Sequence, residues 1–256
     1  MLRNVLFGSA LALGLGLTLA APAFAQDGSG PNWTGVYGGL NLGYGGGAFR
    51  YPYAGTTDAA GTQSASGVAR QDSSGVLGGV QAGYNFQPAG SRFVFGLETD
   101  FDASDLGGRT DYSNVNGAGA TTQGHLASRI DDLGTVRGRV GATMFGGKVM
   151  PYVTGGFAYG GVKALEGGAC AACLSASQPF DRSSIQTGWT VGGGVETLLT
   201  RHLSAKVEYL YTDLGQRQLG APGGQINTPG FGTLYNGSLA ESANANIVRV
   251  GLNYHF

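Results

Sequence analysis

Asn246-Ile247-Val248-Arg249-Val250-Gly251-Leu252-Asn253-Tyr254-His255-Phe256 closes the chain, and its alternation decides the fold. Val248, Val250, Leu252, Tyr254 and Phe256 fall on one face. Arg249, Gly251, Asn253 and His255 fall on the other. Side chains of a strand alternate with period two, so this pattern marks a two-sided strand and not a helix.

The same period recurs upstream. Residues 33–44 set Val36, Leu40, Leu42 and Tyr44 against Tyr37, Gly39, Asn41 and Gly43. Residues 74–87 set Val76, Val80, Tyr84 and Phe86 against Leu77, Gly79, Gln81 and Asn85. Residues 92–101, 133–144, 188–199 and 203–213 alternate likewise, and 148–160 reads as a fifth strand whose two faces do not separate. Each strand is about 10 residues or longer, enough to cross a bilayer at a tilt. The connections alternate in length. Gln87–Ser91, Phe145–Lys148 and Thr200–His202 are tight, whereas 45–73, 102–132, 161–187 and 214–245 read as long loops. Tight turns at one end and long loops at the other are the layout of an outer-membrane barrel.

Composition points the same way. Of 256 residues 49 are Gly, and only 12 % are charged, about half the usual fraction. A net charge of −1 with 42 % apolar residues excludes charge-driven disorder and a broad basic nucleic-acid surface. After residue 25 no apolar run reaches the ~18 residues of a membrane helix. Residues 1–25 read as a cleaved export signal: Arg3, the apolar stretch 5–21, then Ala23-Phe24-Ala25. Residues 26–256 form the barrel domain.

The polar face of the strands carries Arg92, Glu98, Asp100, Arg137, Arg139, Glu196, Lys206, Glu208 and Arg249. If the apolar face meets lipid, these charges share the interior and must pair there. An eight-stranded barrel is just wide enough for side chains to fill it, so a filled lumen, or at most a narrow pore, is expected. Trp33, Tyr37, Tyr44, Tyr84, Trp189, Tyr209, Tyr211 and Tyr254 read as aromatic girdles at the membrane interfaces.

Five stretches carry a family resemblance. They are Asn32-Trp33-Thr34-Gly35-Val36-Tyr37-Gly38-Gly39 followed by Gly43-Tyr44-Gly45, Gly134-Thr135-Val136-Arg137-Gly138-Arg139-Val140-Gly141, Met150-Pro151-Tyr152-Val153-Thr154-Gly155-Gly156, Gly188-Trp189-Thr190-Val191-Gly192-Gly193-Gly194-Val195-Glu196 and Lys206-Val207-Glu208-Tyr209-Leu210-Tyr211-Thr212-Asp213-Leu214-Gly215. Together with the closing strand they resemble the opacity-type outer-membrane β-barrels of alphaproteobacteria, OmpA-like in size and porin-like in family. The long loops match nothing in that pattern. The resemblance implies an all-β, eight-stranded antiparallel up-and-down transmembrane β-barrel in the Gram-negative cell outer membrane. The roles it implies are envelope-structural, adhesive or small-pore, and some relatives bind haemin. Tyr254 and the terminal Phe256 resemble the signal read by the barrel-insertion machinery.

Other constellations are weak. Cys170 and Cys173 are the only cysteines, and in an exported protein a disulfide is their default state. His125, His202 and His255 are scattered; His125 as a haem ligand is the sharpest reading they allow. The inward carboxylates share their face with cations, which favours ion pairs over acid–base catalysis. No catalytic, cofactor or metal residues are assigned, and no enzyme activity is expected. The expected partners are outer-membrane lipid and, during assembly, the insertion machinery. Self-association and loop ligands stay open. The expected function is a structural surface barrel displaying four loops, with a narrow solute pore and a surface receptor or adhesin as alternatives.

Overall fold

A computed structural model describes residues 31–56, 64–115, 121–170, 180–218, 224–228 and 232–256. The proposed signal at 1–25 lies outside them. The described elements are β1 (Gly35–Thr56), β2 (Ser64–Phe86), β3 (Phe93–Val115), β4 (Thr121–Ala142), β5 (Val149–Cys170), β6 (Phe180–Leu198), β7 (Leu203–Gln218), β8 (Gly224–Thr228) and β9 (Gly232–His255). Consecutive strands β1 to β7 pair antiparallel, β7 pairs with β9, and β9 returns to β1. The wall is therefore a closed eight-stranded barrel. The short β8 pairs with the outer end of β9, beyond the end of the β7–β9 ladder. Closure leaves no strand edge for lipid to meet.

The eight crossings are those read from the sequence, but the strands run much further. β1 to β5 each span 22 or 23 residues. Most of 45–73, 102–132 and 161–187 is not loop but ladder: Gly45 to Thr56 pairs with Gly75 to Ser64 without interruption. The reason is physical. Beyond the bilayer the barrel's outside meets water, so the apolar face that announced each strand disappears. The backbone ladder needs no apolar face and continues.

Within the membrane the inside-out pattern is plain. Leu40 is 66 % exposed and Leu97 67 %, whereas their neighbours Asn41 and Glu98 are 7 % and 3 % exposed. Outward apolar residues continue around the wall through Val80, Phe101, Val140, Val153, Val191, Val207 and Val250. In β5, whose faces the sequence leaves unseparated, Met150, Tyr152, Ala158 and Val162 point inward and Val153 and Phe157 outward. The tight turns lie at one end with the start of β1 and the end of β9. The β4–β5 turn uses positive φ at Phe145, Gly146 and Gly147, a run that only two glycines beside it make tolerable.

Two aromatics leave the expected girdle. Tyr44, Tyr84, Trp189, Tyr209 and Tyr254 are on the outer face, but Trp33 is 1 % exposed and Tyr37 is fully buried. Trp33 lies across the turn end of the lumen, where its indole N–H donates to the Gly147 carbonyl at 2.8 Å. Its backbone N–H donates to Gln87 Oε1 at 3.1 Å. The segment before β1 is thus tied to two different turns. Tyr37 has the same parity as Asn41, and that parity sends it inward despite its aromatic ring.

Candidate functional site in the barrel lumen

Inward positions stack the lumen in layers, read along β1, β5 and β9. At the turn end Trp33, Val94, Met150 and Tyr152 pack with Leu198. Next comes a charge layer. Above it sits an apolar layer of Phe49, Leu77, Leu106, Leu133, Leu210 and Ile247, with smaller neighbours. Above that, Tyr51, Gln71, Ser128, Gln186 and Glu241 form an outer polar layer.

The charge layer is built by cross-strand register. Glu98 and Arg137 are direct partners on β3 and β4, as are Glu208 and Arg249 on β7 and β9. Arg137 bonds Glu98 at 2.5 Å, Asp100 at 2.8 Å and Glu208 at 3.0 Å. Arg249 bonds Glu208 and Asp100 at 2.7 Å and Asp102 at 3.1 Å. Arg139 bonds Glu196 at 2.8 Å, and its guanidinium lies 4.7 Å from the Tyr37 ring centroid. Lys206 is the register partner of Glu196, yet its Nζ crosses the lumen to Glu98, 2.7 Å from Oε1. All of these side chains are buried.

Four cations face five carboxylates here, and every carboxylate meets a cation. Neutral donors add to the shells, although Asp100 Oδ1 and Arg139 Nη2 have no hydrogen-bond partner among the described residues. Tyr37 O–H donates to Glu98 at 2.7 Å, Tyr152 O–H to Glu208 at 2.9 Å, and Asn41 to Asp102 at 2.8 Å. Ser204 and Asn253 donate to Glu196 at 2.5 and 2.8 Å. Taking charges out of water costs several kcal/mol each unless geometry and extra hydrogen bonds offset it, and this arrangement supplies both. Glycines make the space. A Cβ at Gly83 would lie 2.3 Å from the Tyr37 hydroxyl, and one at Gly96 would lie 3.0 Å from Arg139.

Of the nine charges read from the sequence, eight meet in this layer: Glu98, Asp100, Arg137, Arg139, Glu196, Lys206, Glu208 and Arg249. Arg92 does not. Its side chain is exposed in the turn before β3, and its carbonyl accepts the Thr143 N–H at 2.7 Å. It sits past the last inward position of the strand, where water is available. Asp102 was missed, although it continues the Glu98, Asp100 spacing. Directly after Phe101, the last large outward residue of that strand, it falls where the sequence alone reads as a loop. The outer polar layer was missed for the same reason.

The remaining candidates divide by position. Tyr254 and Phe256 are on the outer face with ring centroids 5.1 Å apart, and Phe256 N–H donates to the Val36 carbonyl. His255 points inward against Ser204 Oγ at 2.9 Å, and His202 stacks on Tyr254. His125 belongs to β4 and Cys170 ends β5; Cys173 and the proposed disulfide lie outside the described residues, as does the His125 side chain. Among the described residues no cluster of His, Cys, Asp and Glu is arranged for a metal.

Comparison with known proteins places this architecture. A family model for the outer membrane protein beta-barrel domain matches residues 9–256. The 31 kDa outer-membrane immunogenic protein of Brucella melitensis biotype 1 is 34 % identical over 264 residues, covering 100 % of both chains. The 22 kDa outer membrane protein of Rhizobium leguminosarum bv. viciae is 30 % identical over 182 residues, covering 71 % of this chain and 67 % of its own. Among solved structures, the outer membrane protein OprG from Pseudomonas aeruginosa aligns at TM-score 0.44 and 13 % identity, covering 88 % of this chain and 98 % of its own. The chain therefore belongs to the outer membrane protein beta-barrel domain family, and the lipid that its apolar band meets is that of the outer membrane.

Proposed function

We propose that this protein is a sealed, non-enzymatic structural barrel that braces the outer membrane and presents its hairpin ends at the cell surface. One observation carries the reading: the lumen is crossed by direct ion pairs from opposite walls, and an apolar layer lies above them. Lys206 on β7 reaches Glu98 on β3 at 2.7 Å, and Arg137 on β4 reaches Glu208 on β7 at 3.0 Å. An ion moving through would have to break these pairs and then pass side chains such as Leu106 and Ile247, which are fully buried. The carboxylates of the charge layer, the cluster that an enzyme would draw on for acid or base, are all committed to Arg or Lys. The immunogenic character in the Brucella relatives' names fits hairpins displayed outward. Tyr254 and Phe256, outward on the closing strand, are assigned to recognition by the insertion machinery.

Planar-bilayer recording of the purified protein tests the reading. No stable single-channel steps above background are expected between pH 5 and 8. Reproducible ohmic steps would replace the sealed barrel with a narrow pore.

A further inference from the structure

Above the apolar band, the outside of the barrel carries a row of cations on five consecutive strands: Arg50 (β1), Arg70 (β2), Arg109 (β3), Arg129 (β4) and Lys163 (β5). All five are exposed. The outward direction of four follows from their neighbours, since Phe49, Tyr51, Gln71, Ser128 and Val162 are buried in the lumen; Arg109 shares its face with its register partner Ala127, which precedes inward Ser128. The row stands at nearly one height. From Tyr44 to Arg50, Val76 to Arg70 and Phe157 to Lys163 the chain advances by the same number of positions, about 20 Å at ~3.4 Å per residue. With strands tilted about 40°, this is roughly 15 Å above the edge of the apolar band.

The row has two parts. Arg129 and Lys163 are direct cross-strand partners and share Asp131, each at 2.5 Å, while Arg129 also meets Asp105 at 3.3 Å. That group is balanced. Arg50 and Arg70 are also direct cross-strand partners, but neither lies within ion-pairing distance of a carboxylate among the described residues. Asp72, exposed two positions nearer the bilayer on β2, pairs with neither. Like charges directly opposite on neighbouring strands are destabilising. Their Cβ atoms are about 5 Å apart, so two guanidinium forks can close on a single phosphate, with charge-assisted and bidentate hydrogen bonds.

We infer that Arg50 and Arg70 clamp a phosphorylated headgroup of an outer-leaflet lipid, and that the wider cationic row steers such headgroups to the wall. The occupant is lipid because the row faces outward from the same strands that carry the lipid-facing band, at the end of the barrel opposite the tight turns. Basic clusters beside a membrane span are the usual device for holding anionic lipid. The inference rests only on the barrel's orientation in the outer membrane and is independent of whether the lumen conducts.

Native mass spectrometry of the detergent-purified full chain tests it, with bisphosphorylated lipid A as the probe. The parent is expected to retain lipid A at a concentration about tenfold lower than Arg50→Gln/Arg70→Gln, the loss of one good charged contact pair. The balanced pair serves as control: Arg129→Gln/Lys163→Gln should shift retention less than threefold. Two arms need no variant. Enzymatically dephosphorylated lipid A should bind the parent at least tenfold more weakly, and inorganic phosphate at the same concentration should not compete. Equal retention by parent and Arg50→Gln/Arg70→Gln overturns the clamp. So does equal binding of the dephosphorylated lipid, or full competition by inorganic phosphate, which would make the site one for free anions. Heat-modifiable gel migration confirms that each variant is folded before it is scored.

Discussion

Lys206 and Glu98 lie 108 residues apart on β7 and β3, strands that do not touch in the wall, and their charged groups meet at 2.7 and 2.9 Å across the lumen. Adjacent-strand pairs such as Glu208 and Arg249 could form in any folded hairpin. A cross-lumen pair forms only once the barrel is closed, so it ties opposite walls together.

That relationship sets the first expectation. Lys206→Met keeps the stem and removes the charge, leaving Glu98 buried with Arg137 as its main partner. Breaking a buried pair from one side costs about 3–5 kcal/mol, and the remaining Arg137 contact puts this case near 3 kcal/mol. Lys206→Met/Glu98→Gln should recover most of the loss, because it removes the orphaned charge too. Urea unfolding of the refolded protein, followed by gel migration, measures both. A double variant no more stable than the single one would mean that Glu98 is not the group Lys206 neutralises.

The second expectation concerns the two tryptophans, the only ones in the chain. Trp189 is 50 % exposed on the outer face and Trp33 is 1 % exposed at the closed end of the lumen. In bilayers containing lipid with brominated acyl chains, Trp33→Phe leaves only Trp189 and should show strong fluorescence quenching. Trp189→Phe leaves only Trp33 and should show little. Comparable quenching in the two variants would return Trp33 to the interfacial girdle.

The crossings were legible because lipid enforces a rule that water does not. Leu40, Leu97, Val207 and Val250 must be apolar where they stand, so period two is written plainly into each membrane segment. The outer halves of the strands carry no such mark. Arg50, Asp72 and Ser74 on the outside and Ser73 and Gln71 on the inside are all polar, and only hydrogen bonding between backbones shows that β1 and β2 continue there. The charge layer was legible from parity, except where parity ran past the last apolar residue, as at Asp102. Tyr37 shows the opposite failure. Residue type suggested a girdle, while its position in the alternation placed it inside.

The outer polar layer gives a pH expectation. Glu241 lies on β9 beyond the membrane segment, which begins near Asn246. Burial pushes its carboxyl above the usual range, and hydrogen bonds from Tyr51 and Gln186 together with the charge of Arg217 offset this only in part. An acid whose folded pKa is raised binds its proton more tightly in the folded state. It therefore costs no stability at low pH, and its penalty grows as pH rises through the unfolded and then the folded pKa. Glu241→Gln removes the ionisable group and keeps the shape. The variant should melt a few degrees above the parent at pH 8, with the gap closing by pH 4. A gap that widens toward pH 4 would mean that Glu241 is held as a stabilising carboxylate.

Two glycines on neighbouring strands provide the last expectation, because they differ in what stands beside them. A Cβ on Gly156 of β5 would lie 2.1 Å from the Val136 carbonyl oxygen and 2.7 Å from the Arg137 Cα. Both are backbone atoms of β4 and cannot swing aside. A Cβ on Gly138 of β4 would meet nothing nearer than the Gly155 carbonyl oxygen at 3.9 Å. Gly156→Ala must therefore push β4 and β5 apart beside Arg137, loosening the ion pairs that Arg137 makes. A cost of about 1–3 kcal/mol is expected, as for other overpacked sites. Gly138→Ala should be neutral or slightly stabilising, since Gly in a strand interior carries an entropic cost that Ala relieves. Urea midpoints of the two variants against the parent make the comparison. Equal midpoints for the pair would show that β4 and β5 do not approach as closely at Gly156 as the ladder requires.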